Sequence, residues 1–491
     1  MTTTKGSKLR DFPAVSSALS ADRLLLSSGI ISFALLLCVL NSVGCKAAIL
    51  LLIASIALFA LLNFPEVSFA LFVNAGMYKA DEALESYTKH VDLTLLFLAI
   101  SLCGILWNLI KGRLSLRLPS RQLLIPYVVV VVLAAISLAF TLAPIYAGEK
   151  FARLAILTTS AFIFPALLFQ DSKRIGRFFG TYVILTLAMV FAVLFNDRLQ
   201  LGVYGQQEAF GSGYLGLGSV TSQGTLILLT YFLFRTKSVW GRLLVFVVAI
   251  IDAFGIFVSG ARGSAIAFLV ALGVLFIWSI TYSLRRLPGQ HNLNRRSPKA
   301  LIVLGVFVVT VAISIWVFRD YFVTILARTE DLVYSASVVE NERVDMYHKS
   351  LQFLATSSRS LYGLGLGGWS MFYYGFDAPR GGFPHNLFLE VGVELGWPGL
   401  ISFGLMLYAA FRAGVIALER SSPGQFPISI GVMTLFVYMC GYSSFHGDIN
   451  DCRQLFLWMC AIDIARMKSP ESPERTSSVQ RRSLPSSEQN V

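Results

Sequence analysis

LLVFVVAIIDAFGIFV, Leu243–Val258, runs into SGARG, Ser259–Gly263, and then into SAIAFLVALGVLFIWSITYS, Ser264–Ser283. Two long apolar runs with almost no loop between them read as a pair of neighbouring helices crossing a bilayer, where each crossing takes about 20 apolar residues. The pattern recurs outward in both directions. Candidate spans fall near 24–43, 47–62, 65–78, 92–110, 123–143, 152–169, 178–195, 219–234, 243–258, 264–283, 300–318, 395–413, 427–445 and 453–467. The run 65–78 is short enough to be re-entrant or interfacial, and losing it with a neighbour keeps the later loops on their sides. The expected fold class is an all-α polytopic membrane protein with about 12–14 transmembrane helices.

Composition leads to the same place. Of 491 residues 55% are hydrophobic and only 14% charged, with a mean hydropathy of +0.68. Soluble domains are about a quarter charged, so this chain lacks the polar surface that water demands. The net charge of +12 does not point to nucleic acid. The basic residues sit in short loops between apolar runs and in the tails, a distribution set by membrane insertion. The scattered cysteines, Cys38, Cys103, Cys440 and Cys460 among them, lie in apolar runs without metal-ligand spacing and read as small apolar fillers. The run Leu24–Leu40 has no small-residue cleavage site after it and reads as a retained first span.

With both termini cytoplasmic, most of the 40 Lys and Arg fall on the inner side, as the positive-inside rule requires. The chain then divides into a cytoplasmic N-tail (1–22), a bundle of spans with short loops (23–318), one large periplasmic loop (319–384), C-terminal spans (385–467) and a disordered cytoplasmic tail (468–491). The large loop carries a helix-like stretch, Glu340–Leu354, a glycine cluster from Gly363 to Gly368, and the aromatics Trp369, Phe372, Tyr373 and Tyr374. Loops this long are usually functional or disordered, and this one reads as folded against the outer membrane surface.

Three segments on that face could carry chemistry. The first is Phe383-Pro384-His385-Asn386, continuing through Glu390, Gly392, Glu394, Gly396, Trp397, Pro398 and Gly399. On one helix, His385, Gly392, Gly396 and Gly399 would share a stripe ~60° wide, with Gly399 least secure because Pro398 precedes it. Stacked glycines admit a neighbouring helix or a ligand, and a neutral imidazole at the mouth of that groove is the usual general base. Glu390 and Glu394 share another face; carboxylates at membrane depth are functional or paired, here with a neighbouring helix's arginine or backbone. The second segment is SGARGS, where Arg262 stands at the membrane boundary with room around it for a phosphate, against the plainer reading of a snorkelling arginine. The third is Arg343, whose plainer reading is an ion pair with an acid such as Glu340. Arg198, Arg328, Arg359, Arg380 and His446 are weaker outer-face candidates. There is no Asp-x-Asp, P-loop or HExxH, so the expected reaction uses no metal, ATP or other cofactor, on a substrate already activated.

Together these segments resemble the bacterial O-antigen ligase and O-antigen polymerase superfamily. His385-Asn386, nine residues, then Gly396-Trp397-Pro398-Gly399 is similar to its His-Asn…Gly-x-x-Gly signature, and Ser259-Gly260-Ala261-Arg262 to its short arginine motif. Arg343 with Tyr362-Gly363-Leu364-Gly365 resembles its outer-loop arginine and glycine turn; the likeness covers about 200 to 445. It implies metal-independent glycosyl transfer at the periplasmic face of the inner membrane. The donor would be an oligosaccharide on undecaprenyl diphosphate, and the acceptor a glycan (polymerase) or lipid A-core (ligase). Arg262 and Arg343 would hold the diphosphate and His385 would deprotonate the acceptor, with inversion and with Asn386 and the Glu and Gly positions in support. The wording around His385 and the extra spans favour the polymerase. A flippase of the same lipid-linked sugar is the third reading, weakened by the absence of an internal repeat.

Overall fold

The computed structural model describes residues 45–78, 92–195, 213–285, 305, 338–379 and 381–468. The candidate spans 24–43 and 300–318, both tails and the first part of the large loop lie outside the described residues. The chain separates into two units, Met1–Asn63 and Phe64–Val491. In the first, α1 (Cys45–Asn63) is a single apolar helix whose last residue, Asn63, turns its side chain back to donate to the Phe59 carbonyl.

The second unit is built from helices alone among its described residues. In chain order they are α2 (Pro65–Asn74), α3 (Leu93–Ile110), α4 (Arg121–Ser137), α5 (Pro144–Leu168), α6 (Ser172–Phe195), α7 (Gly213–Arg235), α8 (Val239–Ser259), α9 (Arg262–Arg285), α10 (Val338–Thr356), α11 (Gly368–Tyr374), α12 (Leu387–Arg420), α13 (Phe426–Ser443) and α14 (Arg453–Lys468). Eight helices, among the described residues, are long and apolar enough to cross a membrane. The protein is an all-α polytopic membrane protein. Large apolar side chains such as Leu95, Ile110, Ile184, Trp240, Leu269, Ile401 and Tyr408 stand exposed on the helix surfaces. In water that surface would be a defect; against acyl chains it matches its solvent.

Two helices break the apolar pattern because lipid does not reach them. α14 is buried from Gln454 to Ala465, packed on α5, α12 and α13. α7 is buried along most of its length and carries Ser219, Thr221, Ser222, Gln223 and Thr225 inward. Their polar groups find partners across the bundle: Trp458 Nε1 donates to Gln223 Oε1 at 2.9 Å, and the Gln223 amide donates to Gln454 Oε1 at 2.5 Å. A polar side chain inside a membrane bundle must be satisfied by protein, and here it is.

The large loop is folded from α10 onward, and its helix-like stretch is the helix Val338–Thr356. Met346, Phe353, Leu354, Leu364, Trp369 and Val393 of α12 form a second small core under it. The glycines are contact points for backbone. Gly363, at φ +84, packs on the Glu394 carbonyl so closely that a Cβ would lie 2.3 Å from it, and Gly365, at φ +83, meets Thr141 in the same way. Only glycine takes that conformation and that approach together.

Candidate active site

His385 stands just ahead of α12. Its backbone is left-handed at φ 53, which no other described non-glycine residue adopts. Such a conformation is held by surroundings and clusters at functional sites. Here Asn386 caps α12, its Oδ1 accepting from the Phe388 and Leu389 amides at 3.0 and 3.1 Å. The Asn386 amide donates to the Ser444 carbonyl at 3.0 Å, and the Tyr347 hydroxyl on α10 donates to the His385 carbonyl at 3.2 Å. The imidazole lies 4.6 Å from the Phe383 ring, centroid to centroid. Cap, α10 and the loop after α13 thus aim one imidazole.

That loop, 444–452, is the least expected part of the site. Gly447 runs against the backbone of Asn386 and Leu387, where a Cβ would come within 2.6 Å. Two residues earlier, Phe445 lies against Gly263 of α9, 2.9 Å from where its Cβ would stand. His446 is therefore fastened between the start of α9 and the start of α12, its ring 4.4 Å from Tyr442. Burial holds the His385 imidazole down at about 4 and that of His446 at about 3, and in both cases the Arg343 guanidinium adds to the effect. Arg343, His385 and His446 thus share one electrostatic neighbourhood, and both imidazoles are neutral at neutral pH. Arg262 is exposed as the first residue of α9, beside the Gly263 that meets this loop. Arg359 is exposed in the turn after α10, away from these contacts; Arg198, Arg328 and Arg380 lie outside the described residues.

The glycine stripe does not form. α12 begins at Leu387, so His385 is not on it, and Gly396 breaks the helix at φ 69, ψ −170. Each glycine instead makes room for something of the protein: Leu354 and Leu400 at Gly392, the Ser360 carbonyl and Gly363 amide at Gly396, and Leu395 at Gly399. The kink is what lets the loop glycines dock on α12.

Glu390 and Glu394 are buried, and their partner is Lys150, a residue of the expected loop ahead of the span at 152. The structure extends α5 back to Pro144, because the charge is neutralised in place. Lys150 Nζ lies 2.5 Å from Glu390 Oε1 and 2.7 Å from Glu394 Oε2. Around this ion triad, Tyr146 donates to Asp448 Oδ2 at 2.8 Å, the Ile449 amide donates to Glu390 Oε1 at 3.4 Å, and the Asn450 amide group donates to the Lys150 carbonyl at 3.2 Å. Asn450 also receives Thr158, in the π turn Leu154–Thr158 of α5. Asp377 accepts from the Ile145 and Tyr146 amides and closes the helix start. The network ties α5, α12 and the 444–452 loop into one block beneath His385. No local pattern advertised it; the one usable signal was that three charges, Glu149, Lys150 and Arg153, border an apolar run.

The family model described as O-antigen ligase matches residues 245–404. Arg262, Arg343, His385 and Asn386 all fall inside the matched stretch, whereas Lys150, His446 and Asp448 lie outside it. No curated protein matches the chain. The O-antigen ligase family implies glycosyltransferase-type activity on a lipid-linked glycan donor and an acceptor, in a multi-pass protein of the inner membrane.

Proposed function

We propose that this end of the bundle faces the periplasm and transfers a glycan from undecaprenyl diphosphate to a sugar hydroxyl, extending a surface polysaccharide as a repeat-unit polymerase. The observation that carries the reading is His385, held in a left-handed backbone and under the electrostatic influence of Arg343, inside the stretch that the O-antigen ligase model matches. His385 takes the proton of the acceptor hydroxyl as its oxygen bonds to the anomeric carbon. The bond from that carbon to the diphosphate oxygen breaks on the opposite face, so the configuration inverts and the electron pair leaves with the diphosphate. Arg343 and Arg262 take up the charge that develops there, the role of preorganised cations, and the scheme needs no metal. The arginine that lowers the imidazole's basicity is neutralised by a bound diphosphate. Donor binding therefore readies the base. Both termini lie in the cytoplasm, in agreement with the basic residues that gather at the opposite end, in 111–121, 170–177 and 235–242.

A second reading, transfer of the finished chain to lipid A-core, is favoured by the description of the matched family as ligase. One experiment separates them. The purified protein is given a lipid-linked oligosaccharide with and without lipid A-core, and the products are sized. Longer lipid-linked chains mean polymerase and glycan on the core means ligase. His385→Ala should abolish either product by three orders of magnitude or so, the scale of a lost general base; full activity in that variant would sink the assignment.

A further inference from the structure

His446 has no role in the scheme above, yet the fold spends much on placing it. Its loop is wedged by Phe445 against Gly263 and by Gly447 against the cap of α12, both at distances that leave no room for a methyl group. The residue is only 8% exposed, and its Nε2 is sealed from water with no hydrogen-bond partner among the described residues. A buried imidazole serving structure alone has its nitrogens satisfied, and an apolar side chain would fill the space at lower cost. Around it stand the Tyr442 ring, His385 and, through His385, the Phe383 ring, with the Arg343 guanidinium near both imidazoles.

We propose that His446 is a substrate-binding residue whose Nε2 hydrogen-bonds a sugar hydroxyl of the acceptor, neighbouring the hydroxyl that His385 deprotonates. Sugar, and not diphosphate, fits the surroundings. An anion is already served by the guanidinium. A neutral imidazole offers the donor or acceptor a hydroxyl needs, and the partly exposed Phe383 ring beside His385 suits the C–H face of a pyranose. The inference rests on the glycosyl-transfer reading and adds to it the group that orients the acceptor.

The chain has 5 histidines, which makes their imidazole nitrogens separable by NMR in the full-length protein labelled with ¹⁵N-histidine in lipid vesicles. Signals are assigned by loss in His385→Gln and His446→Gln. Three probes are added in turn: farnesyl diphosphate, a panel of methyl hexosides and N-acetylhexosaminides, and a purified lipid-linked oligosaccharide. The expected result is that glycosides or the lipid-linked sugar move the His446 Nε2 signal and farnesyl diphosphate alone does not. A full shift with farnesyl diphosphate alone overturns the sugar contact, and a silent His446 beside a shifting His385 overturns the residue's place in the site. Silence at both overturns this inference together with the function it rests on. In the transfer assay, His446→Phe should raise KM for the acceptor about ten-fold, the worth of one hydrogen bond, with the donor KM within a factor of about two. His446→Gln, which keeps a hydrogen-bonding head, should recover most of that loss. Equal acceptor KM in wild type and His446→Phe would overturn the proposal even with His385 confirmed as the base.

Discussion

At the scale of single residues, the electrostatics of His385 make a pH prediction. Its imidazole sits at about 4, chiefly because burial disfavours the cation and next because Arg343 repels it. The base is competent only when neutral, so kcat/KM for transfer should stay level from neutrality downward and fall by half near pH 4, well below the ordinary histidine value of about 6.5. Replacing Arg343 by Gln removes a positive neighbour, favours the protonated ring and raises its pKa. The residual activity of that variant should show its acid limb displaced upward, partway toward 6.5 because burial remains. An acid limb at the same pH in both proteins would contradict the proximity of the two groups. His385 itself was legible in the sequence, since Pro384, a histidine and Asn386 at the start of an apolar run is a local signal. Its left-handed backbone was not, because that conformation is imposed by Asn386, Tyr347 and Gly447 from three separate elements.

At the scale of elements, the junction between α5 and α12 depends on one cation facing two carboxylates. Lys150→Met would leave Glu390 and Glu394 buried without a counter-charge, and breaking such a pair costs about 3–5 kcal/mol. The variant should melt well below wild type in detergent, measured by fluorescence-detected size exclusion after heating. Adding Glu390→Gln and Glu394→Gln removes the orphaned charges and should return most of the lost melting temperature. A Lys150→Met protein as stable as wild type would mean that the triad does not hold these helices together. The kink at Gly396 belongs to this scale as well. Glycine spacing read along one straight helix gave a stripe, whereas the chain uses the same glycines to bend α12 and seat Gly363 on it.

At the scale of the whole molecule, the prediction concerns sidedness. The turns after α8 and α13 and the starts of α5, α12 and α14 share one end with α10 and α11, while the loops rich in Lys and Arg share the other. With the 6 native cysteines replaced, Met371→Cys should react with a membrane-impermeant maleimide on intact spheroplasts. Lys237→Cys, in the exposed loop between α7 and α8, should react only after permeabilisation. The reverse pattern would turn the site toward the cytoplasm and remove the periplasmic reading.

The sequence alone determined the class of fold, the positions of most helices and the three segments that carry Arg262, Arg343 and His385. Hydropathy and short motifs act within a few residues of themselves, and bilayer insertion rewards each apolar run separately. Only the tertiary structure brought in Lys150 and Asp448, and raised His446 from a weak outer-face candidate to a neighbour of His385. Their partners are remote in the chain, 244 residues away for Lys150 and Glu394 and 302 for Tyr146 and Asp448. A charge buried in a membrane protein is tolerated because of what faces it, and what faces it is set by helix packing, which local sequence does not record.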